Sequence, residues 1–255
     1  MFSTASPLSR TTLRCLSALL LCLLDGGVSA QPTETVVVDA STLTGVWKIA
    51  KPHFLRKDGF FDALKWGPLD DYFCRIEQQQ DGLTSACLLG GQGITVTVDG
   101  AHIHFAQGTM MARLVLDGTL QSATHFEGFT TAKLAGISAT DDKFSTGDKL
   151  KITPDAPDKG GKANLLRTIL TDGLAQVPHD DAAIKKAAPG SGQIPKLGAI
   201  QVIAYLGQQT LLGPPRAKQD QVDFFSVYAV EFDSGERICG LHQRADGVLD
   251  AFLCL

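Results

Sequence analysis

The sequence predicts a mainly β protein: an antiparallel β-meander over residues 44–150, followed by a smaller α+β unit over residues 163–255. Three observations lead there. Asp-Gly pairs recur at 81–82, 99–100 and 117–118 between β-rich runs. Asp-Gly is a strong hairpin signal, because Gly reaches φ > 0 without steric cost. A cysteine-bearing hairpin occurs twice, as Cys74-x6-Asp81-Gly82-x4-Cys87 and as Cys239-x6-Asp246-Gly247-x6-Cys254. Apolar residues at helical spacing, in contrast, belong to the stretch beyond residue 162.

Residues 1–30 read as a signal peptide. Arg10 and Arg14 supply the positive region, 15–24 (CLSALLLCLL) is the apolar core, and Val28-Ser29-Ala30 is a small-residue cleavage site. The apolar run is too short to span a bilayer, and no later segment is a candidate span. A periplasmic or secreted location is therefore expected. Cleavage near Ala30 takes thirty of the 255 residues, and with them Cys15, Cys22, Arg10, Arg14 and Asp25. The charge balance moves from 23 basic and 27 acidic residues to 21 against 26. Such mild acidity offers no footprint for nucleic acid or an anionic membrane. Four cysteines remain, which in an exported chain favours two disulfides. Cys74–Cys87 and Cys239–Cys254 are the preferred pairs, since each brackets one tight turn.

Residues 31–43 read as a polar leader. Strand patterns follow at 45–49, 71–77, 84–89, 94–98, 102–105, 112–116, 119–131 and 134–139, spaced as an antiparallel meander. About eight such strands can curl into a barrel and remove their exposed edges. Residues 151–162 carry a Pro/Gly/charge-rich linker. Leu165, Leu166, Ile169, Leu170 and Leu174 mark a helix over 163–176, with Gly173 as its weak point, and 180–188 reads as a second short helix. Strands are expected at 197–206, 224–232, 236–243 and 248–255, with a long polar loop at 208–221.

Gly45-Val46-Trp47 at the first strand of the meander resembles the lipocalin entry motif. The resemblance covers residues 44 to about 150. It implies an antiparallel barrel closed at one end by the Trp and open at the other to an apolar ligand. True lipocalins are single domains, and this chain departs from them in its second half. There, 197–207 (LGAIQVIAYLG), 227–235 (VYAVEFDSG) and the hairpin that follows are similar to the NTF2-like/cystatin-like accessory module of bacterial serine hydrolases. That resemblance covers about 160–255. It implies a curled sheet cradling a helix, with a cleft between them and no chemistry of its own.

Side chains alternate along a strand, so His102 and His104 share one face, as do His125 and Glu127. Two imidazoles, a third and a carboxylate suit zinc or iron. Solvent-facing or hydrogen-bonded histidines are the competing reading. For an apolar ligand the lining candidates are Trp47, Phe105, Met110 and Phe126. The stretch with Phe54, Phe60, Phe61 and Trp66 could cover a barrel mouth. No G-x-S-x-G elbow or phosphate-cradling loop is present. Asp70-Asp71, Asp141-Asp142 and Asp180-Asp181 are adjacent pairs that suit caps and turns. The expected function is accordingly non-catalytic binding of a small apolar molecule or a cell-envelope component, with no cofactor. The alternatives are a protein-interaction or inhibitor module, and a metal-dependent enzyme using the His/Glu cluster.

Overall fold

Short β-rich runs joined by Gly-containing turns build the first sheet of the computed structural model, which describes residues 39–52, 71–80, 82–88, 91–108, 112–134, 136–153, 161–187, 190–210 and 224–255. All of them fall in one compact unit, Val36–Leu255. The expected signal peptide, the aromatic stretch 54–66, Met110 and most of the loop 208–221 lie outside the described residues.

The strands are β1 (Gly45–Ile49), β2 (Tyr72–Gln79), β3 (Gly82–Cys87), β4 (Gly91–Asp99), β5 (His102–Gly108), β6 (Ala112–Ser122), β7 (His125–Leu134), β8 (Ile137–Thr140) and β9 (Ser145–Lys149). Each pairs antiparallel with its neighbours, and β9 pairs with both β7 and β1. The ring β1 to β7 plus β9 is thus a closed eight-stranded barrel, with β8 attached to β7 outside it. Gly82 (φ 127°) and Gly100 (φ 58°) supply the left-handed residues of the two expected Asp-Gly turns.

The third Asp-Gly pair is not a turn. Asp117 and Gly118 lie inside β6, and the chain reverses at residues 123–124 instead. Gly118 is placed opposite Gly128 on β7, and a Cβ on either would press on the facing backbone. The glycines here allow two strands to approach closely. The closing strand β9, Ser-Thr-Gly-Asp-Lys, was not expected either. Its inward residues are Ser145 and Gly147, so it carries no apolar alternation.

The inward residues fill the barrel. Trp47, Ile49, Cys74, Ile76, Ile103, Phe105, Leu116 and Phe126 form one apolar cluster. The Phe126 ring lies 5.4 Å from that of Trp47 and 5.5 Å from that of Phe105. A Cβ on Gly147 would overlap the Phe126 ring, so the ring rests directly on the β9 backbone. Part of the stretch expected as leader folds as α1 (Ala40–Leu43), capped by the Asp39 carboxylate, which accepts from the Ser41 N–H. Its Leu43 enters the cluster, and the Leu43 carbonyl accepts from Trp47 Nε1 at 2.8 Å. That bond satisfies the one polar atom of a fully buried indole.

The second sheet is an antiparallel meander of β10 (Ile200–Thr210), β11 (Phe224–Phe232), β12 (Gly235–Gln243) and β13 (Leu249–Cys254). Helices α2 (Ala163–Asp172) and α3 (Asp181–Ala187) pack on one face of it through Leu166, Ile169 and Ile184, against Tyr228, Leu241 and Phe252. α2 stops at Gly173 (φ 97°), where the sequence has its weak point. Asp180 caps α3 by accepting from the Ala183 N–H at 3.0 Å. The other face of the sheet meets the outside of the barrel. Phe225, Val227, Ala229, Ile238 and Leu253 pack on Val46, Phe73, Ala86 and Leu88 of the barrel wall. Strands buried on both faces lose polar alternation, which is why β11 and the start of β2 (Tyr72-Phe73-Cys74) read as apolar runs.

Cys74 faces Cys87 across β2 and β3, and Cys239 faces Cys254 across β12 and β13. Both pairs are disulfides with Cα atoms 4.1 Å apart, as the hairpin spacing led us to expect. They fit an oxidising, extracellular setting. Among the described residues no helix is long and apolar enough to cross a membrane.

At the border of the two sheets, Arg75 pairs with Glu77 at 2.7 Å. Half-buried Glu236 lies near Gly45 and Lys149. Burial, and then the nearby Glu231, hold the Glu236 carboxyl above its ordinary 4.5, against the pull of Lys149 and Arg75. A carboxyl raised in the fold loses stability as pH climbs from 4.5 through the raised value. Glu236→Gln is therefore expected to raise Tm at pH 7 and to make no difference below 4.5, as read by thermal unfolding across pH. Gly147→Ala should cost about 1–3 kcal/mol in urea unfolding, because either Phe126 or β9 must shift.

Candidate functional site

The second sheet packs on the barrel at β1 to β3, and on β4 to β7 beyond it the period-two alternation decides what the outer wall carries. Val96, Ile103, Phe105, Leu116 and Phe126 point in. Their neighbours point out. Cross-strand register arranges these outward residues in two rows. One row runs Asp99, His102, Thr119, Glu127, and the next runs Thr97, His104, Asp117, Phe129. With Phe144, these eight residues line a groove of about 430 Å³. Phe129 is 40% exposed and Phe144 54%, and their ring centroids lie 4.4 Å apart. Exposed aromatic pairs on a polar wall are informative, because apolar area left in water is costly.

Two of the three histidines on this wall, His104 and His125, are held by carboxylates. His104 Nδ1 is hydrogen-bonded to Asp117 Oδ1. His125 Nδ1 lies 2.7 Å from Asp148 Oδ1, and its Nε2 lies 3.5 Å from Glu127 Oε1. The hydrogen bond to Asp148 pulls the His125 pKa above its ordinary 6.5; desolvation opposes this, and Glu127 adds to it. These contacts stabilise the fold below 6.5, and the contribution fades as pH rises through the raised value.

The four residues considered for metal lie on two strands with β6 between them: His102 and His104 on β5, His125 and Glu127 on β7. Among the described residues, no three His, Cys, Asp or Glu side chains come together in a way that could hold a metal ion. Of the residues considered for an apolar ligand, Trp47, Phe105 and Phe126 sit together inside the barrel and stack on one another. Beside Phe105, the space lined by Ile49, Tyr72, Cys74, Cys87 and Thr130 is about 10 Å³, the size of one water molecule. A ligand there would have to displace core side chains. The region between α2, α3 and the second sheet is likewise filled by Leu166, Ile169 and Ile184, each fully buried.

Sequence reasoning missed Asp117, Phe129, Phe144 and Asp148. Phe129 had a signal. It stands three residues from Phe126 and so has the opposite strand phase, which puts one of two aromatics in water. Asp117 was assigned to a turn. Phe144 and Asp148 join the wall through the tertiary path of the chain around β8 and β9. No protein family, curated protein or solved structure matches this chain.

In a proton-NMR titration, the His125 midpoint is expected above 6.5, and Asp148→Asn should lower it. An unchanged midpoint in that variant would remove the assigned cause.

Proposed function

We propose that this chain is an exported, non-catalytic recognition protein that binds its ligand on the uncovered outer wall of the barrel. The ligand is a small molecule with an apolar part or an exposed group of an envelope component. One observation carries the reading: the barrel interior is packed by Trp47, Phe105 and Phe126, whereas Phe129 and Phe144 stand exposed together in an outer groove. Ligand sites are concave and mostly apolar, with a few placed polar groups, and the groove's volume of about 430 Å³ is within their usual range. The paired disulfides support life outside the reducing cytosol. In this reading the second sheet, with its resemblance to an NTF2-like/cystatin-like accessory module, is a backing layer that stiffens the barrel from behind.

The probe is N-phenyl-1-naphthylamine, a neutral apolar fluorophore, titrated into oxidised protein. Saturable fluorescence enhancement is expected, weakened at least about tenfold in Phe129→Ser/Phe144→Ser, with thermal unfolding confirming an intact fold. Equal binding by the double variant would return the ligand to the interior or elsewhere, and no binding to the native protein would sink the recognition reading.

A further inference from the structure

The outer groove has a charge pattern that selects among small ligands. We infer that it takes a small organic cation, an ammonium group carried on an apolar or aryl body; this rests on the groove being the recognition surface. Phe129 and Phe144 both line the groove, exposed and with ring centroids 4.4 Å apart. Asp99, Asp117 and Glu127 line the same space, and no Lys or Arg does so among the described residues. An anion would meet three carboxylates there, with the imidazoles of His102 and His104 and the hydroxyls of Thr97 and Thr119 as its side-chain donors. A purely apolar ligand would take Asp117 and Glu127 out of water with nothing in return. A cation on a hydrocarbon body meets both parts of the lining, since its charge is attracted by the carboxylates and by aromatic ring faces.

The spacing also separates this ligand from a metal ion. Asp99 on β4 and Glu127 on β7 stand in one row three strands apart. Strands are about 4.8 Å apart, so that row spreads its two carboxylates over about 14 Å. Metal ligands must converge within roughly 2–2.6 Å of one point. No three such donors do so among the described residues. A larger cation with diffuse contacts has no such requirement. His104 and Asp117 already form a pair, so the Asp117 carboxylate is held in place on the wall.

The test compares three probes of similar size at pH 7, by amide chemical shifts of the oxidised protein: 2-phenylethylammonium, 2-phenylethanol and phenylacetate. The ammonium is expected to bind at least about tenfold tighter than the alcohol, with shifts centred on β5 to β7, and phenylacetate not at all. Raising the salt should weaken the ammonium but not the alcohol, because these carboxylates are exposed to screening. Asp117→Asn/Glu127→Gln should abolish the preference, while binding of N-phenyl-1-naphthylamine persists. Equal binding of ammonium and alcohol overturns the cation inference and leaves the recognition surface standing, as does an ammonium preference that survives in the variant. No groove shifts with any probe, together with no binding of the naphthylamine, sinks both.

Discussion

The Phe126 ring seated against the bare backbone of Gly147 is the contact on which the barrel depends. β7 and β9 can pair at that point only if one side supplies a large side chain and the other supplies none. Once paired, β9 reaches β1 on its far edge and the ring closes. Trp47 and Phe105 then stack on the same ring, so the aromatic centre is shared by β1, β5 and β7. Closure by a small-residue strand lets the interior pack like an organic solid. Among the described residues, the space left beside that centre is about 10 Å³.

A second constraint is the wall shared by the two sheets. β1 to β3 point one set of side chains into the barrel and the other set into the second sheet. Val46 and Phe73 belong to the outer set, Trp47 and Cys74 to the inner one. The disulfides lie close to this wall, one across β2 and β3 and the other across β12 and β13. Each ties two adjacent strands, so neither dictates how the sheets meet. Apolar packing between the layers does that, with Arg75, Glu77 and Glu236 at its border.

The proposed recognition surface lies where the second sheet stops. The covered wall is apolar, and the two rows of outward residues beyond it are polar apart from Phe129. The Phe129 and Phe144 rings, the carboxylates around them and the histidines held by Asp117 and Asp148 lie together on the outer wall.

Local chemistry alone specified a good deal. Asp-Gly pairs at 81–82, 99–100 and 246–247 placed three hairpins, the doubled cysteine motif paired the thiols, and leucine spacing located α2. Period-two alternation put His102 with His104 and His125 with Glu127. Tertiary structure decided the rest. β9 is invisible to a hydrophobic pattern because its inward positions must be small where Phe126 fills the space. Asp117-Gly118 looks like a turn, yet it is a close crossing of two strands whose partner glycine lies ten residues further along. Gathering Phe129, Phe144 and three carboxylates into one groove depends on strand register across four strands. Register is a long-range quantity: it is set by which side chains fill the barrel, and no single stretch of sequence contains it.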